Sequence, residues 1–199
     1  MMNQSIKIIL IILVLGGSLL SGEDKARKTI VGEKAPPWSM KTSLGKFEFL
    51  KDYVAPKEQK LRNADQERKV VVLSFFASWC QPCIKEIGEL HKLKEMYADQ
   101  PVQFFLVNLT DYFRYNEKET KKYLEAPDAM KFLADKGLTD ITILEDRGGI
   151  LARPYGVNSF LPRLFVIDKY QIVQMDEGGL CPTCIQDEVG AVLDKLINE

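Results

Sequence analysis

Phe75-Phe76-Ala77-Ser78-Trp79-Cys80-Gln81-Pro82-Cys83 lies between two hydrophobic patterns of different period. Upstream, Lys69-Val70-Val71-Val72-Leu73-Ser74 is a β-branched apolar run that predicts a buried central strand. Downstream, Cys83, Ile87, Leu90, Leu93 and Tyr97 recur at helical spacing, so the chain passes from strand to helix at the cysteines. Cys80 then sits near a helix N-terminus, where unpaired N–H groups and the macrodipole favour an anion. A thiolate forms there more easily than on a free cysteine, and the thiolate is the nucleophile of disulfide exchange. The two-residue spacer, Gln81-Pro82, keeps Cys83 within bridging reach, so the pair can cycle between dithiol and disulfide. A lone CxxC also fits half a zinc site or a structural bridge; strand, Trp79, CxPC and helix together point to redox chemistry.

Further motifs fall around this segment: Gly32-Glu33-Lys34-Ala35-Pro36 ahead of it, Glu86 just beyond, and Tyr155-Gly156-Val157-Asn158-Ser159-Phe160-Leu161-Pro162 later. With Trp79-Cys80-Gln81-Pro82-Cys83, they make the chain resemble the thioredoxin superfamily. The closer likeness, from about Val31 to the C-terminus, is to the TlpA/ResA-like branch of membrane-tethered thiol-disulfide oxidoreductases. The resemblance implies that Glu86 assists the active-site thiols. It also implies that Pro162 is a cis-proline opposite the cysteines, with Leu161 offering backbone groups to a bound peptide. Trp79, Gln81 and Pro82 would complete the active-site surface. Where thioredoxin itself carries an acid on the strand before the first cysteine, this chain has Ser74, which leaves any proton shuttle to Glu86. Arg163 replaces the small residue usual after the proline and would bias the site towards acidic partners.

Composition fits one folded unit plus a leader. The apolar fraction is 46%, and 27 basic against 28 acidic residues give a net charge of −1, with no basic footprint for nucleic acid. After Lys7, Ile8 to Leu20 is an apolar run of signal-peptide length, short for a membrane span. Residues 1–22 are therefore read as a signal peptide or membrane anchor, 23–30 as a charged tether and 31–199 as the thioredoxin-like domain. The leader puts the domain outside the cytoplasm, in the periplasm or on the outer face of the cell membrane, where disulfides persist. A buried helix is the bland alternative for the same run.

Along the domain, Trp38 to Leu50 alternates around Leu44-Gly45-Lys46 as a β-hairpin, and Lys51 to Arg68 reads as an exposed, charged insertion. Val102 to Leu109 predicts a second apolar strand. Asn116 with Glu119 predicts a helix start, and Pro127 the first turn of another helix ending at Gly137. This stretch resembles the family's helical insert; Tyr112, Phe113 and Tyr115 either pack beneath it or line a partner groove. Ile141 to Leu144 predicts a short strand, Gly148 to Gly156 a helical crossover, and Leu164–Ile167 with Gln171–Val173 a hairpin through Asp168-Lys169-Tyr170. Ile185, Val189, Val192 and Leu196 mark the buried face of a final helix. The expected fold is an α/β sandwich of thioredoxin type with an N-terminal β-hairpin and a central helical insert.

The remaining candidates are the other two of the four cysteines, Cys181 and Cys184, and the single histidine. The hairpin should bring Cys181-Pro182-Thr183-Cys184 to the same sheet edge as Cys80, with Cys181 opening the last helix. A second redox couple, a four-cysteine zinc site and a structural bridge all fit. His91 sits mid-helix among lysines as a solvated or boundary residue. Two functions compete. One is thiol-disulfide exchange with protein cysteines, an exposed Cys80 attacking and a shielded Cys83 resolving, with no cofactor or bound metal and electrons from an upstream thiol-disulfide donor. It tilts towards reduction, including haem-site cysteines in cytochrome c maturation. The other is a metal-binding or copper-delivery protein of the same fold, which wants a histidine nearer the cysteines than His91. A peroxidase of the peroxiredoxin type would want Thr and Pro before its cysteine, where Ala77-Ser78-Trp79 stands.

Overall fold

The computed structural model describes residues 29–117, 120–157, 160–179 and 184–199. The leader expected over residues 1–22 and all of the tether except its last residues, 29 and 30, lie outside them. Among the described residues no helix is long and apolar enough to cross a membrane.

The centre is β3 (Val70–Phe76), seven residues buried along their whole length. Its side chains alternate between two cores, Val71, Leu73 and Phe75 on one face and Val70, Val72 and Phe76 on the other. A strand covered on both faces carries apolar residues at nearly every position rather than every second one, which is the pattern this segment has, Ser74 excepted. Parallel β4 (Val102–Asn108) pairs with one side of it and antiparallel β6 (Arg163–Ile167) with the other. Adding β5 (Thr142–Glu145) and β7 (Val173–Gly178) gives a five-stranded mixed sheet in the order β5-β4-β3-β6-β7. On one face α1 (Gln81–Met96) packs with α5 (Ile185–Ile197), burying Ile87, Leu90, Leu93, Ile185, Val189 and Leu193.

The opposite face is closed by the hairpin of β1 (Ser39–Lys41) and β2 (Phe47–Phe49), together with Trp38 and Tyr155. The same hairpin guards one sheet edge, where Ser43 N donates to Ile143 O at 2.9 Å. The segment around residues 30–35 guards the other, with Gly32 N on Val173 O and Ala35 N on Gln171 O, each 2.8 Å.

The helical insert between β4 and β5 is present, and its pieces differ from the sequence expectation. Asn116 ends α2 (Thr110–Asn116) instead of starting a helix. The next helix is α3 (Lys121–Leu124), with Thr120 at its N-cap; Glu119 lies outside the described residues. Pro127 precedes α4 (Ala129–Ala134), whose cap is Asp128, its carboxylate accepting from Lys131 N at 2.9 Å. Gly137, at φ +69°, terminates that turn as expected.

The crossover over residues 148–156 is a run of turns, not a helix. The buried Asp146 carboxylate imposes it by accepting three backbone N–H groups, from Ile150, Leu151 and Ala152, at 2.7, 3.0 and 2.8 Å. Gly149 there has φ +66°, and a Cβ would meet the Tyr112 ring at 2.5 Å. The charged insertion after β2 is not simply solvated either. Val54, Ala55 and Leu61 are buried, and the Arg68 guanidinium lies over the Tyr170 ring at 5.7 Å. The last helix buries Ile185, Val189 and Leu196 as expected, with Leu193 added and Val192 half-buried beside it.

Candidate active site

The end of β3 delivers the cysteines to one edge of the sheet. Cys80 is the N-cap of α1, with Gln81 and Pro82 exposed in its first turn, where proline's missing N–H has no partner to lose. Cys80 and Cys83 are joined by a disulfide of 2.03 Å with their Cα atoms 5.3 Å apart. Cys83 N donates to Cys80 Sγ at 3.3 Å. In the dithiol form the same N–H, with the helix N-terminus, favours a thiolate on Cys80. The sequence expectation of an exposed Cys80 over a shielded Cys83 differs from the disulfide form, in which both are buried, at 4% and 1%. The bond turns the Cys80 sulfur inward onto its partner within the core under α1.

The Leu161–Pro162 peptide is cis. The β3–β6 register pairs Phe75 with Arg163, which brings Pro162 level with Phe76 at the edge that carries the cysteines. Leu161 and Trp79, both half-buried, pack against both cores. Arg163 does not face a partner: it is buried and ion-paired with Asp176, so its charge is satisfied inside the fold.

Glu86 is the strongest anomaly of the site. The stripe that carries Cys83, Ile87 and Leu90 turns it into the core, where it is 1% exposed, so a solvated first-turn carboxylate is excluded. Its Oε1 accepts a 2.7 Å hydrogen bond from the hydroxyl of Ser74, also buried, in β3. Burial pushes its pKa up from 4.5 to about 7, the Ser74 hydroxyl pulling the other way. A carboxyl that titrates near neutrality three residues beyond Cys83 is suited to exchange a proton during turnover. The sequence signal for its burial is its place on the inward stripe; nothing local identifies Ser74 as its partner.

The helical insert buttresses the cysteine loop. Trp79 meets Phe113 edge-on at 5.3 Å and Tyr123 at 4.7 Å, with Lys122 Nζ 4.6 Å from the Trp79 ring centre. Ser78 N donates to Thr110 Oγ1 at 2.9 Å, and Ser78 Oγ to Pro127 O at 2.7 Å. Phe113 is buried and Tyr112 packs against the core, which is the packing role; Tyr115 remains exposed. Sequence reasoning misses Ser78 and Thr110, since their link joins segments far apart in the chain.

His91 is a boundary residue whose Nδ1 meets the Asp140 carboxylate. It lies eleven positions past Cys80, about 16 Å along a helix, too far to share a metal with the cysteines. Among the described residues no group of three or more His, Cys, Asp or Glu is placed to hold a metal ion.

The second cysteine pair lies partly outside the described residues, which include Cys184 and not Cys181. As expected, β7 ends at the active-site edge: Gly178 pairs with Arg163, and Gly179 N donates to Pro162 O at 3.1 Å. The helix that follows opens at Ile185, so its N-cap is Cys184, which is disulfide-bonded, rather than Cys181. Gln186 Nε2 reaches Glu89 Oε2 at 2.8 Å, and Tyr97 OH reaches Gly190 O at 3.1 Å. These contacts pack the first turns of α5 against the middle and end of α1.

The AhpC/TSA family model matches residues 31–175. Among curated relatives, the thioredoxin-like protein YneN of Bacillus subtilis is 31% identical over 72% of this chain and 68% of its own length. The thiol-disulfide oxidoreductase ResA of Bacillus cereus is 27% identical over 84% of this chain and 83% of its own. A solved structure described as a thiol:disulfide interchange protein DsbE, from Chlorobium tepidum, superposes with a TM-score of 0.63 at 26% identity, covering 85% of this chain and 99% of that one.

Proposed function

Because the chain belongs to the AhpC/TSA family of thioredoxin-fold proteins and is a thiol-disulfide oxidoreductase, we propose that it reduces disulfides in protein substrates outside the cytoplasm, with Cys80 as nucleophile and Cys83 as resolving thiol. The observation that carries this reading is the Cys80–Cys83 disulfide at the N-terminus of α1, on the edge that also holds the cis Leu161–Pro162 peptide. In the forward direction the Cys80 thiolate attacks a substrate disulfide, forming a mixed disulfide and releasing one substrate thiolate. Glu86 then takes the proton of Cys83, which attacks Cys80 Sγ. The mixed disulfide breaks, the second substrate thiolate leaves and takes up a proton, and two electrons have passed to the substrate.

Backbone groups of Leu161 would pair with the substrate as a short strand, with Trp79, Gln81 and Pro82 forming the surface around it. The oxidised pair is returned to the dithiol by an upstream thiol-disulfide donor. The apolar run from Ile8 to Leu20 supports placement outside the cytoplasm, as a membrane-tethered or secreted protein. The likeness to ResA proteins and to the TlpA/ResA-like branch supports a reducing role, with haem-site cysteines of apocytochromes as the substrate class to try first.

The test is insulin reduction by the dithiol protein beside metal analysis of the same preparation, with Cys83→Ala used as a trap. Reduction, and mixed disulfides that form through Cys80 in Cys83→Ala and vanish when Cys80 is also replaced, are expected. No turnover, together with stoichiometric metal, would overturn the reading. Fractionation that recovers the full chain mainly from the cytosol would overturn the placement alone.

A further inference from the structure

Seven consecutive buried positions make up β3, and Ser74 is the one polar residue among them. Its side chain lies in the layer between the sheet and the helices, since the register places it beside Leu106 of β4 and Leu164 of β6, both members of that core. The same layer holds Cys83, Ile87 and Leu90 of α1 and Ile185 and Val189 of α5. Glu86 enters it from α1, and the 2.7 Å bond from Ser74 Oγ to Glu86 Oε1 is made wholly inside it. Charged neighbours stand elsewhere. Lys85, Asp187 and Glu188 are exposed, and Glu89 is bonded to Lys92 and Gln186. On the opposite face of the sheet, Arg163 lies over Phe165.

A buried carboxylate with no cation beside it is stabilised by whatever donors reach it, and a hydroxyl can donate to the carboxylate or accept from the neutral acid. We propose that Ser74 is a positioning residue of the resolving step, its hydroxyl keeping the Glu86 carboxyl in the ionised, proton-accepting form when Cys83 must lose its proton. The inference rests on the proposed role of Glu86 and adds the residue on which that role depends. The strand position before the cysteines thereby gains a purpose, because this chain divides the carboxyl and its tuning group between α1 and β3. Only the proton crosses this pair. It leaves Cys83 Sγ for Glu86 as Cys83 attacks Cys80 Sγ, and the departing substrate thiolate carries away the electron pair.

The test is stopped-flow reaction of the dithiol protein with dithiobisnitrobenzoate. The first nitrothiobenzoate released reports attack by Cys80, and the second reports resolution by Cys83. Without the hydroxyl, in Ser74→Ala and Ser74→Val, the midpoint of the second phase against pH should rise by roughly one unit, with the rate recovered on the alkaline plateau. Ser74→Thr should restore the midpoint. In a Glu86→Gln background, Ser74→Ala should change nothing further.

Uniform slowing at every pH would make Ser74 merely structural and overturn the proposal. So would an unmoved midpoint, or a shift that persists in Glu86→Gln. If Glu86→Gln itself leaves the second phase untouched, the role of Glu86 fails, and the inference with it. An unmoved midpoint in the Ser74 variants beside an altered Glu86→Gln removes Ser74 alone. Should the hydroxyl-free variants fail to fold, carboxyl-carbon NMR of Glu86 in the wild type and Ser74→Thr decides the matter. A Glu86 titration whose midpoint departs from that of the second phase in either protein would overturn it, and midpoints that coincide and stay in place in Ser74→Thr would support it.

Discussion

Arg163 of β6 and Asp176 of β7 form an ion pair whose side chains are 3% and 0% exposed. Arg163 Nε donates to Asp176 Oδ1 at 2.5 Å, while the other carboxylate oxygen accepts Ile30 N at 3.0 Å. One aspartate thus ties the residue after the cis-proline to the start of the described chain. Removing one partner strands a buried charge, which typically costs about 3–5 kcal/mol. Asp176→Ala should lose stability on that scale in urea unfolding, and Arg163→Met with Asp176→Leu should recover much of it. A loss below about 1 kcal/mol, the range of exposed pairs, would show that solvent reaches the pair.

The pKa of Glu86 makes stability depend on pH. It is raised from 4.5 to about 7 in the fold, so the folded state holds a proton that the unfolded chain has already released. The contribution of this group is complete below pH 4.5 and is lost as pH rises to about 7, amounting to roughly 3 kcal/mol. Between those limits the wild type should lose stability relative to Glu86→Gln by that amount. His91, whose pKa burial lowers, slopes the other way and is common to both proteins, so the difference isolates Glu86. Parallel stability curves for the two would mean that the carboxyl is hydrated in solution.

The parts legible in the sequence are those carried by short-range periodicity. The run before Cys80 fits only a buried strand, and the stripe from Cys83 to Tyr97 fits only a helix, so the redox motif falls at the strand-to-helix junction without ambiguity. The misplaced parts depend on contacts from afar. The turns at residues 148–156 are set by Asp146 capping three N–H groups, which helical spacing alone does not reveal. Arg163 reads as a solvent-facing charge because its partner is Asp176, across a hairpin. Ser74 stands out in the sequence as a missing acid and Glu86 as a helper of the thiols; their bond follows only from packing α1 onto β3.

The insert bears on activity through Phe113. That ring touches Trp79 at 5.3 Å and Tyr123 at 5.4 Å, and it is buried, so it fills the space between the insert and the cysteine loop. Phe113→Ala should cost about 3–5 kcal/mol as a core cavity. It should also red-shift Trp79 emission and lower kcat/KM for insulin reduction, because Trp79 is the residue before Cys80. Lys122→Ala removes only an exposed cation over the same ring, worth about 0.5–1 kcal/mol, and should leave turnover close to wild type. Trp79 emission measured in a Trp38→Phe background checks both; unchanged emission in Phe113→Ala would remove the insert from the site.

We expect the second cysteine pair to act as a clamp on the start of α5. β3 and β7 run in the same direction, each antiparallel to β6, so α1 and α5 both leave the active-site edge and descend together. Gln186 Nε2 of α5 meets Glu89 Oε2 of α1 at 2.8 Å, so the second residue of α5 packs beside the ninth of α1. Disulfide exchange needs sulfur atoms in contact, so a relay would have to bring the second pair up to Cys80. The acidic Asp187 and Glu188 in the first turn of α5 would disfavour a thiolate at the helix start, which favours a stable bond over a reactive thiol. Replacing both Cys181 and Cys184 with serine should lower stability by about 2 kcal/mol, the scale for a disulfide that closes a short loop. Insulin reduction and the Cys80–Cys83 potential should stay at their wild-type values. Turnover lost with the physiological donor, at unchanged stability and potential, would instead make the pair an electron relay. Zinc stoichiometric with the wild type and absent from the double variant would overturn the clamp and the relay together.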